Sequence, residues 1–191
     1  MIVIGARQKW KTAWHRAAER CNAEILQKTW EWAKENLRTE AINNKLFLGT
    51  DIVRSTAWHR AAERGNSEIL QKVWEWATEN LTTEEINNKL LLGIDIFRRT
   101  AWHRAAERGN SEILPKVWEW VTENLTTEEI NNKLLLGIDI FRRTAWHRAA
   151  QRGNSDILQT GWAWANEKLA TEEINNKMLL GTEKREGPPG S

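Results

Sequence analysis

A chain of 191 residues with 28% charged side chains and a net charge of +2 carries neither the charge excess of a disordered tail nor the strongly basic field of a nucleic-acid binder. Its single cysteine, Cys21, excludes an internal disulfide framework and a thiolate zinc cluster, and no apolar run approaches the length of a membrane span. These features predict a soluble protein of a reducing, cytoplasmic compartment with no membrane partner.

The motif Thr-Ala-Trp-His-Arg-Ala-Ala begins at Thr12, Thr56, Thr100 and Thr144, each 44 residues after the last. It divides the chain into a leader or cap (1–11), four units (12–55, 56–99, 100–143 and 144–187) and a flexible tail (188–191). The second and third units differ only where Gln71 becomes Pro115 and Ala77 becomes Val121. Near-identity at a fixed period predicts an all-α solenoid, because no unit of this size buries its apolar face without leaning on its neighbours.

The leader opens on Met1 to Ile4 and carries Trp10, apolar groups that offer a cap or an end contact. In the second unit, Thr56 is suited to cap a short helix whose Ala57, Trp58, Ala61 and Ala62 share one face, and Gly65 supplies a left-handed stop. Asn66 or Ser67 then caps a longer helix to about Asn80. At roughly 100° per residue, Ile69, Leu70, Val73, Trp74, Trp76, Ala77 and Leu81 fill one broad arc of it. Thr82-Thr83-Glu84-Glu85 reads as a capping box opening a third helix, which turns Ile86, Leu90 and Leu91 inward before Gly93. The connector Ile94-Asp95-Ile96-Phe97-Arg98-Arg99 leads to the next threonine. In the third unit, Pro115 falls near the fifth position of the long helix and is expected to bend its first turns. In the fourth, Thr182-Glu183-Lys184-Arg185 replaces the apolar connector, as a polar end cap requires. That replacement favours connector apolar residues Ile94 to Phe97 and Ile138 to Phe141 packing on the following unit over gripping a partner.

Thr56-Ala57-Trp58-His59, Ala61-Ala62 and Gly65-Asn66-Ser67-Glu68-Ile69-Leu70, with Asp95 five residues before Thr100, resemble the ankyrin-repeat signature in every unit. The resemblance covers the first half of each unit and its connector. It departs where alanine follows the threonine, where Arg98 takes the place of the turn glycine, and where about eleven residues around Thr82 to Leu92 exceed the usual period of about 33. It implies a protein-binding scaffold lined by the short helices and connectors, while the departures imply three helices per unit in place of a regular hairpin finger. It also implies that His15, His59, His103 and His147 bond the cap threonine and the neighbouring connector.

His59 and Glu63 share a helical face at a spacing that can hold a metal, but Gln151 breaks the pattern in the fourth unit, and packing is the favoured reading. Of the 13 tryptophans, twelve lie on the apolar arcs, those of the Trp76 class at the edge. No phosphate loop, nucleophile elbow or carboxylate pair stands out, so no enzyme, cofactor or metal is expected. Arginine carries the functional reading. Arg16/Arg20, Arg60/Arg64, Arg104/Arg108 and Arg148/Arg152 recur as pairs on the polar side of the first helix, and Arg98/Arg99 and Arg142/Arg143 extend them through the connectors. Stacking aligns them as a ladder, while Glu68, Glu75, Glu79, Glu84 and Glu85 belong to the other helices. The expectation is a basic concave groove that holds an acidic or amphipathic segment of another protein; the other reading is that residues of the Glu63 type neutralise the ladder and leave a solvated face. The alternative is a structural protein that assembles with itself, as a homo-oligomer or filament, through its repeat ends and oppositely charged faces. Nucleic acid has only the arginines in its favour.

Overall fold

The computed structural model describes residues 12–179, with the backbone alone at Leu179. The expected leader with Trp10, the polar cap at Thr182 to Arg185 and the tail lie outside the described residues. Unit 1 holds α1 (Ala13–Glu19), α2 (Ala23–Asn36) and α3 (Thr39–Ile42); unit 2 holds α4 (Ala57–Arg64), α5 (Ser67–Asn80) and α6 (Thr83–Glu85). Unit 3 follows with α7 (Ala101–Arg108), α8 (Leu114–Asn124) and α9 (Thr127–Glu129), and unit 4 with α10 (Ala145–Arg152), α11 (Ser155–Lys168) and α12 (Thr171–Glu173). Each third helix widens into a π-helical stretch: Asn43–Phe47, Ile86–Leu91, Ile130–Leu135 and Ile174–Leu179. The chain is an all-α solenoid of four tandem helical repeats, with no strand among the described residues.

Local chemistry sets the ends of these helices. Thr56 Oγ1 accepts from the His59 N–H, Asn66 Oδ1 from the Ile69 N–H, and Thr82 and Glu85 form a reciprocal capping box. Gly65 stops α4 at φ 73°, and a Cβ there would lie 2.5 Å from Asn110 Oδ1. The space is needed because Asn110 Nδ2 crosses it to donate to the carbonyls of Ala62 and Glu63. Pro115 does not bend a helix, contrary to the expectation above. α8 instead starts at Leu114, with the proline in the first turn, where a missing N–H costs nothing, and residues 111–113 are left as a turn.

The first helices α1, α4, α7 and α10 pack side by side in a row, each against the next. Trp14, Trp58, Trp102 and Trp146 are buried at the same place in each unit. Between units the indoles stack: Trp30 on Trp76 at 5.0 Å, Trp74 on Trp120 at 4.7 Å and Trp118 on Trp164 at 4.6 Å. The third helices tie the same junctions from the other side. Asn43, Asn87 and Asn131 donate to the carbonyls of Asn80, Asn124 and Lys168, satisfying the open C-terminal end of the following second helix. Apolar burial and hydrogen bonds thus repeat across every junction, which makes the stack one continuous core.

Candidate ligand groove along the connectors

The first-helix arginines are not the open ladder expected above. Arg60, Arg104 and Arg148 are buried, and each closes on the connector aspartate nine residues earlier, Asp51, Asp95 and Asp139 respectively. Burial raises the Asp51 and Asp139 carboxyls, but the hydrogen bonds from Arg60 and Arg148, the loop N–H groups and the arginine charges together outweigh it and hold both below the ordinary value. The outer arginines Arg64, Arg108 and Arg152 remain exposed but pair across the junction with Glu19, Glu63 and Glu107. Glu63 also receives Arg60 and Arg104. The reason is geometric: stacking brings each unit's glutamate under the next unit's arginines, so the helical charges neutralise one another. Arg99 is likewise spent on Asp95 and Glu107, and Arg143 on Gln151. Arg16 and Arg20 are exposed; the position equivalent to Asp51, which closes on Arg60, is Arg7 in the first unit.

The connectors behave differently. The Asp95 N–H bonds the Arg99 carbonyl, the Arg98 N–H bonds the Asp95 carbonyl, and Asp95 Oδ1 accepts from Phe97 and Arg99. This is a three-residue hairpin loop, so the turn survives although Arg98 replaces its glycine. The substitution forces Arg54, Arg98 and Arg142 to φ 57°, 58° and 59°, a left-handed conformation that costs an L-residue about 1–2 kcal/mol. Successive loops are linked, the Ile96 N–H bonding the Val53 carbonyl and the Ile140 N–H the Phe97 carbonyl. Most loop apolar residues do not pack away as expected: Ile52, Ile94, Ile96, Ile140 and Phe141 are exposed and only Val53, Phe97 and Ile138 are half-buried, because the loops touch along their backbones.

Beneath the loops, between them and the third helices, lies a cavity of about 550 Å³, within the usual range for ligand pockets. Arg98 and Arg142 descend into it from the connectors, and Lys133 and Lys177 rise from the third helices. Asn88 and Asn132 add carboxamides; Leu92, Ile94, Leu136 and Ile138 supply apolar wall. Among the described residues no carboxylate lines it. Lys133 and Lys177 pair with Glu129 and Glu173 one turn back, but both lysines are half exposed, and such pairs exchange readily. The arrangement can hold an anionic group beside an apolar one. Equivalent residues recur one unit earlier as Arg54, Lys89, Asn44 and Leu48, so the chemistry repeats along the solenoid.

The four histidines are occupied by structure. His59 Nε2 donates to the Gly93 carbonyl at 2.9 Å, which leaves Nδ1 to accept from Thr56 Oγ1 at 2.9 Å. His15 and His103 repeat both bonds, and burial lowers the pKa of all three. The carboxamides and lysines of the groove were missed in the sequence. Their signal was the run Ile-Asn-Asn-Lys, present in all four units with its last two members on the solvent side, but repetition of whole units hides which repeated polar residues face a groove.

No family model matches the chain, and no curated protein matches it significantly. A solved structure does. One chain of the crystal structure of the yeast ribosomal protein Rps3 in complex with its chaperone Yar1 superposes at a TM-score of 0.60 and 15% identity, covering 76% of this chain and 86% of that one. At that identity the likeness is one of fold.

Proposed function

We propose that the protein is a non-enzymatic, ankyrin-like interaction scaffold. It holds an acidic or amphipathic segment of another protein in the groove between its connectors and its third helices. The observation that carries this reading is the cavity in which Arg98, Arg142, Lys133 and Lys177 converge on apolar walls with no carboxylate among the described lining residues. Arg98 and Arg142 hold a left-handed backbone where glycine would relax the turn, and outliers of this kind cluster at binding sites. The solved structure of similar fold is a complex of a ribosomal protein with its chaperone, which agrees with a fold that presents surfaces to other proteins. The exposed Ile96 and Ile140, on the connectors that also carry Ile94 and Ile138 of the cavity wall, offer further apolar contact for an amphipathic segment.

The test replaces Arg98 and Arg142 with asparagine, which tolerates the left-handed region and removes the charge. The probe is a short fluorescent peptide of alternating glutamate and leucine. Folding stability is expected to hold or rise, whereas affinity falls severalfold and loses much of its salt dependence. Unchanged affinity in a folded double variant overturns the reading.

A further inference from the structure

Each internal junction is made by the same two surfaces. The indole of the Trp30 class meets the indole of the Trp32 class from the next unit, and the glutamate of the Glu63 class receives that unit's arginines. At the two ends of the described stack one half of this junction has no counterpart among the described residues. In unit 1, Trp32 is 56% and Ile25 47% exposed, whereas the equivalent Trp120, Ile69, Ile113 and Ile157 are buried and Trp76 and Trp164 half-buried. In unit 4, Trp162 is 42% exposed, and Ala150 is exposed where Ala62 and Ala106 are buried. Terminal units of a stacked array ordinarily turn a polar face outward. These turn indoles outward.

We propose that the two faces are halves of one interface and that the chain associates head to tail with a second copy of itself, Trp162 of one copy stacking on Trp32 of the next. Apolar side chains match along this contact, Ala150 and Leu158 being offered where Ile25 lacks its cover. The charged half of the junction is incomplete. Arg20 of the next copy arrives where Arg64, Arg108 and Arg152 each find a glutamate, but the residue waiting for it is Gln151. Arg143 holds Gln151 as Arg99 holds Glu107, so the position is correctly built and lacks only its charge. Association is therefore weaker than an internal junction. Because the two faces differ, the contact does not close on itself and growth is open-ended. This surface is separate from the groove proposed above, and either can fail without the other.

Sedimentation velocity over a concentration series, on the full chain, tests it. The parent is expected to grow in mean mass with concentration. Gln151→Glu should tighten the association about tenfold or more at low salt, and Trp32→Ala should return either protein to a monomer. Both positions are exposed, so circular dichroism should find each variant folded. A parent that stays monomeric throughout overturns the proposal, as does growth indifferent to Trp32→Ala or a Gln151→Glu chain that associates no more tightly. In those cases the end face is covered by the leader, or the contact lies elsewhere.

Discussion

Arg104 closes on a single oxygen of Asp95, with Nε at 3.0 Å and Nη2 at 2.5 Å, and the aspartate side chain has no solvent exposure. The same arginine reaches Glu63 of the preceding unit at 2.7 Å and Ser55 at 2.9 Å. One side chain thus joins two connectors and two first helices. Removing one member of such a buried pair strands the other, so Arg104→Met is expected to destabilise the fold by about 3–5 kcal/mol. Adding Asp95→Asn should recover part of that loss, because the stranded charge disappears. Urea unfolding of the two single variants and the double variant measures the coupling; strictly additive losses would mean that the pair is not the cause.

Trp102 is 1% exposed and packs against Trp118, Trp146 and Trp164. Trp102→Ala is expected to cost about 3–5 kcal/mol by leaving a cavity. Its indole N–H is buried with no acceptor among the described residues. Trp102→Phe removes that unsatisfied donor together with part of the ring, so its cost should stay below about 2 kcal/mol. Denaturant midpoints at unchanged m-value decide between the two.

Pro115 shortens its helix. α8 has 11 residues where α5 has 14, although the two units are otherwise almost identical in sequence. Pro115→Gln restores the residue of α5 and should extend helix back to Ser111, stabilising the chain by about 1 kcal/mol. The helical signal in circular dichroism should rise with it. A rise in stability without a gain in helix would place the effect elsewhere.

His59 is buried and neutral, and burial, helped by the Arg104 charge, lowers its pKa from 6.5 to about 4. In the unfolded chain it takes a proton as the pH falls below 6.5, whereas in the fold it does so only near 4. Its contribution is therefore complete above 6.5, declines as the pH falls to about 4, and is constant below; the difference corresponds to about 3 kcal/mol. The depressed carboxyls of Asp51 and Asp139 act in the same direction in stronger acid. Unfolding free energy measured between pH 7 and 4 should fall for the parent and follow a flatter line for His59→Gln. Parallel lines would show that other groups set the slope.

Much of the architecture was legible in the residues. The recurrence of Thr-Ala-Trp-His-Arg-Ala-Ala located the units, Thr56, Gly65 and Thr82 located helix ends, and the apolar arc of Ile69 to Ala77 located the buried face. These are local signals, since a cap or a periodic stripe is decided within a few residues of itself. The histidines belong here too: their repetition indicated a packing role, and the bonds of His59 to Thr56 and Gly93 are of that kind.

Which charges remain available was a different matter. Within one helix, Arg60 and Arg64 look alike, four residues apart on the same polar side. Only stacking buries Arg60 on Asp51 and brings Glu19 to Arg64. Conversely, Arg98 and Arg142 looked like extensions of a ladder, and tertiary packing turned them with Lys133 and Lys177 into one cavity. Pro115 shows a related division: its missing N–H was evident in the sequence, but only the structure shows that the helix begins at Leu114 and does not bend. Charge pairing and cavities join residues about 40 positions apart in sequence, as Arg104 and Glu63 are. The sequence by itself determined units, caps and apolar faces, because those depend on near neighbours along the chain. The tertiary structure alone decided which arginines close into buried ion pairs and which line a groove, because that depends on what the adjacent unit brings within a few ångströms.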